Sequence, residues 1–417
     1  EFDEGFFMTA AKSSARTLPA PSLKTAVAIS FAALMAACAT APRPGPAPGP
    51  SPGPVTTPPP DQQVQTSEGV TPPFMRGRQI VRVGLLLPFT LRPQDAAALY
   101  NAAELALFEL GNENTLLIPR DAGSTEASAN AAARALISDG ADIIVGPVVR
   151  EGVTGAGNAA AAANVPVIGF SSDRMVGGNG VYLLSFQLED EVSRLVSYAA
   201  SQNIRTLSLL APSNDYGRRV ESALRAEAQA RGVSVVTAQL YNRTDADAAA
   251  AARAVAQGQR PQGIIIAESG APLRAIGTAL VQAGVDTRQT RLMGTSVWAG
   301  EAEREPSLAG GWYVAPDPGA RVEFENRYRT AFGEAPTRLS SLGYDAVALA
   351  ALLSRDRGAD GISRSAIENR EGFAGSDGLF RFSANGAIER GLAIMQVGQS
   401  TSTVLEAAPR RFRNSGT

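Results

Sequence analysis

The chain contains no histidine, and cysteine occurs once, at Cys38. Without histidine there is no Ser-His-Asp triad, no Cys-His pair and no His-ligated metal site. With one cysteine there is no internal disulfide, so stability must come from a buried core. Lysine occurs only at Lys12 and Lys24. A phosphate loop with its lysine and a Schiff-base lysine are therefore excluded from everything downstream. No cofactor and no enzymatic activity are expected. The net charge is −2, and no basic run is interleaved with aromatics. Nucleic acid is not an expected partner. Arg410, Arg411 and Arg413 form a small basic cluster, read here as part of a solvated, disordered tail at 407–417.

What is present begins at Cys38. It follows the small pair Ala36-Ala37 and closes a short apolar run from Ala26. Lys12, Arg16 and Lys24 precede that run, and a Pro/Gly tract follows it. Basic flank, short apolar core and small residues make a secretory signal. The run is shorter than the roughly 20 residues a bilayer-spanning helix needs. Residues 1–7 are acidic and aromatic, so Met8 reads as the true start. A cysteine directly after two alanines resembles the lipobox of bacterial lipoproteins, with Met35 where Leu is usual. The resemblance implies that Cys38 is lipidated and heads the mature chain. The alternative is an ordinary signal with an incidental cysteine. Ala39 stands where Asp would retain an enterobacterial lipoprotein at the inner membrane. The resemblance thus points to the periplasm, anchored at the outer membrane. Residues 39–73 are rich in proline and glycine and read as an extended spacer. At about 3.1 Å per residue, such a spacer reaches on the order of 100 Å.

From about Arg76 the pattern changes. Val81-Arg-Val-Gly-Leu-Leu-Leu-Pro reads as a strand, and Leu99, Ala103, Leu107 and Leu110 recur at helical spacing. Further apolar runs at Leu116-Leu-Ile, Ile143-Ile-Val and Val165-Pro-Val-Ile-Gly-Phe alternate with helices. The pattern restarts after Phe186, with strands at Leu207, Val233, Gly263 and Leu292. A later helix spans 342–354, and strands follow at Leu379-Phe-Arg-Phe and Leu392–Val397. Strands without polar alternation, separated by helices, mean parallel sheets covered on both faces. The expected fold is α/β, with two Rossmann-like lobes whose ligand cleft lies beyond the strand carboxyl ends. Residues 1–37 are the signal and 38–75 the lipidated cysteine and disordered tether. Residues 76–187 with 316–372 form one lobe, and 188–315 with 373–406 the other. The lobes are joined by crossings near Phe186, Ala315 and Phe373.

Six segments carry a family resemblance. They are Val83-Gly-Leu-Leu-Leu-Pro, Gly140-Ala-Asp-Ile-Ile-Val-Gly-Pro, Val165-Pro-Val-Ile-Gly-Phe-Ser-Ser, Asn214-Asp-Tyr-Gly, Gly343-Tyr-Asp-Ala and Gly378-Leu-Phe-Arg-Phe. In this order they resemble the type 1 periplasmic binding proteins, the leucine/isoleucine/valine-binding branch. In that branch hydroxyls after the third and fourth strands hold the ligand carboxylate and ammonium, with an acid from the second lobe. Here Val148-Val-Arg-Glu carries no hydroxyl after the third strand, and Thr295-Ser-Val-Trp carries no carboxylate. A buried ammonium without a partner is costly, so a standard amino-acid site is not expected. The candidate cleft residues are Phe89, Arg150, Ser171, Ser172, Asp173, Tyr216, Glu268 and Trp298. Arg150 either holds an anion bidentately at a helix start or pairs with Glu151 or Asp173. Phe89, Glu268 and Trp298 can equally be lobe-packing residues. Gly155-Ala-Gly157 imitates a dinucleotide fingerprint but stands past its strand, and Asp215 with Glu268 imitates an acid–base pair.

Two functions follow. A lipoprotein with this fold resembles the penicillin-binding-protein activators, which stimulate peptidoglycan synthases. The anchor, the spacer and the altered cleft lead to that reading, although a Pro/Gly spacer replaces the helical-repeat domain of the enterobacterial activators. The alternative is the substrate-binding lipoprotein of an ABC permease for an amino acid or small organic anion.

Overall fold

A computed structural model of the chain describes residues 71–72, 75–110 and 113–412. The signal segment, Cys38, the spacer up to residue 70 and Arg413 lie outside the described residues. The first array runs β1 (Val81–Leu87), α1 (Pro93–Leu110), β2 (Thr115–Asp121), α2 (Glu126–Ser138), β3 (Ile143–Val145), α3 (Arg150–Ala163), β4 (Val167–Gly169) and β5 (Val181–Leu183). Its strands form a five-stranded sheet in the order β2-β1-β3-β4-β5. The second array runs α4 (Leu188–Ser201), β6 (Thr206–Pro212), α5 (Asp215–Ala230), β7 (Ser234–Tyr241), α6 (Asp245–Gln257), β8 (Gly263–Ile266), α7 (Gly270–Gln282), β9 (Arg291–Gly294) and β10 (Trp312–Ala315). The chain returns through α8 (Pro318–Phe332), α9 (Ser340–Ser354), α10 (Arg364–Ile367), β11 (Phe373–Gly375), β12 (Gly378–Phe382), β13 (Ile388–Arg390), β14 (Ala393–Gln396) and β15 (Thr403–Glu406). A seven-stranded sheet has the order β15-β14-β10-β9-β8-β6-β7. Its strands β7 to β10 are parallel additions, whereas β14 and β15 pair antiparallel.

Continuous apolar runs form these strands because both faces are covered. Leu85 and Leu87 of β1 pack with α1 and α9, while Leu86 packs with α2 and α3. In the second lobe Ile265 of β8 packs with α4 and α5, while Ile264 and Ile266 pack with α6 and α7. Thr125 opens α2 with a capping box, its hydroxyl accepting from Ser128 N and Ser128 Oγ accepting from Thr125 N. The glycines of the false dinucleotide fingerprint serve packing. A Cβ on Gly155 would lie 2.2 Å from the Glu126 carbonyl, and one on Gly157 would lie 2.8 Å from Val181. Gly155 lets α3 meet α2 at backbone distance.

Gly343 does the same where α9 meets α1, since a Cβ there would lie 2.4 Å from the Leu99 carbonyl oxygen. A backbone oxygen cannot move aside as a side chain can. Gly343→Ala should therefore destabilise the first lobe by about 1–3 kcal/mol. Urea denaturation of both proteins measures this, with a lowered midpoint and unchanged slope as the expected result.

Three boundaries differ from the sequence reading. The third crossing is not at Phe373. Phe373, Phe380, Phe382 and Ile388 lie in the first lobe's core with Ile367, so β11, β12 and β13 belong to that lobe and the chain crosses at 391–392. Alternation in this small antiparallel sheet sends Phe380 and Phe382 inward and leaves Leu379 and Arg381 less buried. That pattern marks a strand without saying which lobe it covers. Residues 407–412 are not a disordered tail. Ala408 joins the second lobe's core, while Phe412 is buried beside Gly372 with the Arg381 guanidinium 4.3 Å from its ring. The aromatic anchors a segment whose arginines alone read as solvated, and Arg410 and Arg411 are indeed exposed. Before residue 76, Met75 is buried and Arg82 Nη2 donates to Thr71 Oγ1 at 3.1 Å. The tether therefore ends earlier than expected.

Candidate functional site: the interlobe cleft

Loops after β4, β6 and β9 meet where the two lobes face each other. The Asn214-Asp-Tyr-Gly segment builds one wall. Asn214 caps α5 by accepting from Gly217 N at 3.0 Å, which sets Tyr216 in the first turn. The Tyr216 hydroxyl shares a 2.8 Å hydrogen bond with Thr295 Oγ1 after β9. Burial pushes the Tyr216 phenol up to about 12, so it stays neutral in any ordinary buffer. Tyr216→Phe should cost about 1 kcal/mol, the net worth of one neutral hydrogen bond. Thermal denaturation should show this small loss with the fold intact.

Loop 171–175 forms the first lobe's rim. Ser171 is buried and its Oγ accepts from Asp173 N at 3.2 Å. Ser172 is exposed, and its carbonyl receives Arg219 Nη2 from the second lobe at 3.2 Å. Asp173 caps the turn at 174–176 by accepting from Met175 N, and it pairs with Arg150. Arg150 is thus an internal partner of Asp173, on the α3 start as expected. Phe89 packs edge-on against Tyr100 at 6.3 Å on the first lobe's core.

Two candidates are not cleft residues. Trp298 is 0 % exposed, and its indole N–H donates to the Ile266 carbonyl at 3.0 Å inside the second lobe. Glu268 is 3 % exposed and accepts from Tyr241 Oη, Arg243 Nε and Ser269 N. Both follow strand ends, which suggested the cleft, but their side chains turn back into the lobe. Asp215 is exposed and pairs with Arg218, so it forms no acid–base couple with buried Glu268.

The groups at the contact between the lobes were not legible in the sequence. Glu191, 6 % exposed in the first turn of α4, accepts from Ser296 N at 2.9 Å and from Ser296 Oγ at 2.6 Å. The carboxylate missing from Thr295-Ser-Val-Trp is therefore supplied by α4. Arg338, just ahead of α9 in the first lobe, donates to Ser296 Oγ at 2.7 Å and lies 3.6 Å from Glu191. Burial raises the Glu191 carboxyl, while Arg338 and Ser296 oppose that rise. The guanidiniums of Arg338 and Arg390 lie 4.6 and 4.8 Å from the Phe186 ring on the first crossing. At the rim, Arg174 of the first lobe donates to Gln187 at 3.1 Å and to Asp190 at 2.5 Å. Burial raises Asp190 to about 6.

A cavity of about 460 Å³ lies between the lobes, beside the crossings. Phe186, Val297, Tyr313, Pro318 and Val322 give it apolar walls, and Ser296, Arg338 and Arg321 with its partners Glu325 and Asp377 give it polar ones. A second, of about 570 Å³, opens at the rim between Asp173, Arg174, Glu189 and Arg219. Apolar walls with few convergent polar groups suit a small organic ligand. Among the described residues no group of three or more His, Cys, Asp or Glu side chains could hold a metal ion, and no helix is long and apolar enough to cross a membrane.

The model of the periplasmic binding protein family matches residues 80–402. No curated protein matches the chain in sequence. Among solved structures, a putative branched-chain amino acid ABC transporter protein from Rhodospirillum rubrum is similar, with a TM-score of 0.67 and 19 % identity over 78 % of this chain and 100 % of that one. A solute-binding protein from R. palustris, in complex with benzoate, has a TM-score of 0.57 and 18 % identity over 81 % and 98 %. The binding protein LivJ from Streptococcus pneumoniae, in complex with isoleucine, has a TM-score of 0.55 and 17 % identity over 78 % and 99 %. Identities this low speak to the fold alone. The family model covers most of the chain, and the chain belongs to the periplasmic binding protein family, a family of the periplasm, with the fold of the type 1, leucine/isoleucine/valine-binding kind.

Proposed function

We propose that the chain is the substrate-binding component of an ABC uptake system, and that its solute is a small carboxylate with an apolar or aromatic body. The observation that supports this is Arg338. It stands in the first lobe, reaches Ser296 and Glu191 in the second, and lines the cavity between them. Its side chain is 47 % exposed, which leaves donors for a bound carboxylate. Phe186, Val297 and Pro318 offer the solute's body an apolar seat. An α-amino acid fits less well. Its ammonium would have to displace Arg338 from Glu191, whose oxygens Ser296 already holds. Neighbours of this fold bind benzoate or isoleucine, and the cleft chemistry favours the first kind. Binding needs no catalytic group, so the protein is read as non-enzymatic. Cys38 would carry the lipid anchor, with the spacer giving the domain its reach towards a permease.

A second reading is a penicillin-binding-protein activator at the outer membrane. The observation in its favour is that arginine bridges already tie the lobes together. Arg338 meets Ser296, Arg174 meets Asp190, and Arg219 meets the Ser172 carbonyl. A deletion strain separates the two. Loss of uptake of a defined aromatic or aliphatic acid, with cell-wall synthesis unchanged, supports the receptor. Unchanged uptake, with a peptidoglycan synthase recovered from membranes by the tethered protein, supports the activator.

A further inference from the structure

At the back of the cleft lies a buried cluster, of which Arg321 and Asp377 also line the cavity while Asp345 and Arg390 do not. Asp345 on α9 is 2 % exposed, and its Oδ1 accepts from Ser376 N at 2.7 Å and Ser376 Oγ at 2.8 Å. Asp377 in the β11–β12 turn is 1 % exposed and accepts from Arg321 Nη1 at 3.2 Å. Arg390 ends β13 and is buried as well. Four atoms of this cluster are buried without a hydrogen-bond partner: Asp345 Oδ2, Asp377 Oδ2, and Arg390 Nη1 and Nη2. Arg390 acts on both carboxylates by charge without a direct ion pair, so each acid keeps an oxygen that a proton could occupy.

The cluster touches all three crossings. Arg390 Nε donates to the Ser185 carbonyl at 3.0 Å on the first, and its guanidinium lies over Phe186. The Asp377 carbonyl accepts from Asp317 N at 3.3 Å on the second. Arg390 is followed directly by the third. A change of charge here therefore acts where the lobes must bend.

We propose that this cluster couples lobe opening to proton release by Asp345, with the closed arrangement holding the proton. The groups facing Asp345 are Ser376 and Asp377 from the β11–β12 turn and Arg390 from β13, and across a cavity of about 310 Å³ that it lines stand Glu323 and Arg327 of α8 and Arg355 after α9. Arg321 of α8 acts through Asp377, and Glu325 pairs with Arg321 in turn. Arg338 and Asp190 act through Arg390. The α1, β1 and β3 side chains in the same core are apolar. Burial, and then the like charge of Asp377, raise Asp345 to about 7. Opening admits water and returns the carboxyl towards its ordinary range. The group binds its proton more tightly when closed, so closure is favoured at low pH. That advantage is lost as pH rises to about 7 and is constant above it. Because Arg321 and Asp377 also line the cavity, the inference is tested on the solute-free chain.

Hydrogen exchange of the full chain between pH 5 and 8, corrected for intrinsic rates, tests this at the amides of 184–187, 316–319 and 391–393. With one linked proton, protection of these amides should fall by up to about tenfold per pH unit to pH 7 and then level off. Asp345→Asn keeps the Ser376 acceptor and should give a flat profile. Asp377→Asn removes the like charge, so levelling off should move to lower pH. The proposal is overturned by wild-type protection that ignores pH, by an unchanged slope in Asp345→Asn, or by an unmoved profile in Asp377→Asn.

Discussion

Trp298→Ala should destabilise the second lobe by about 3–5 kcal/mol, the range for emptying a buried aromatic site. The side chain is fully buried, and its ring fills the space beside Gly294 and Gly311, where added Cβ atoms would lie 2.2 and 3.1 Å from it. Truncation removes that packing and leaves the Ile266 carbonyl without its donor. Neither loss can be recovered by collapse, because the glycines have no side chains to move inward. Guanidinium denaturation followed by circular dichroism is the measurement. A cleft tryptophan would give the opposite result, with stability held and solute binding lost.

Arg338→Ala should be the most damaging change at the cleft. It leaves the Glu191 carboxylate buried, with only Ser296 to stabilise it. Removing one partner of a buried charged pair costs about 2–3 kcal/mol when the lost partner is itself half exposed. The sign with pH is fixed by Glu191. Its carboxyl is already raised by burial, and loss of Arg338 raises it further. A group raised in the folded state favours folding at low pH and loses that contribution as pH rises. The variant's deficit should therefore shrink at pH 5 and be full at pH 8. Adding Glu191→Gln to Arg338→Ala should recover most of the loss, since the buried charge is then gone. Urea denaturation of the two single variants and the double variant at both pH values measures the coupling. Additive losses would mean that the pair does not hold the lobes.

The lobes were legible because their strands are covered on both faces. Val83-Gly-Leu-Leu-Leu-Pro and Ile143-Ile-Val have almost no polar interruption, and only parallel sheets between helices require that. Helix α8 was not legible. It buries only Phe324 and Tyr328 among many charged residues, too narrow a stripe to stand out. The β11–β13 sheet showed its alternation but not its lobe, since period two is the same on either side of a hinge. The site was less legible still. Glu191 meets Ser296 across 105 positions, and in sequence it is one of three acids in the first turn of α4, where carboxylates are common for electrostatic reasons alone. Arg338 lies in a loop without periodicity. Glu268 and Trp298 misled because following a strand places the backbone, not the side chain, at the cleft.

Thermal denaturation of the full chain, alone and with benzoates, aliphatic acids, branched-chain amino acids and peptidoglycan fragments, tests the receptor reading most directly. A solute at 100 times its dissociation constant adds roughly 2.7 kcal/mol, which for a domain of this size is a rise of about 2–4 °C. The expected result is such a rise with one class of small carboxylate, and its loss in Arg338→Ala relative to that variant's own baseline. A sharp transition that none of the acids or amino acids moves would contradict it.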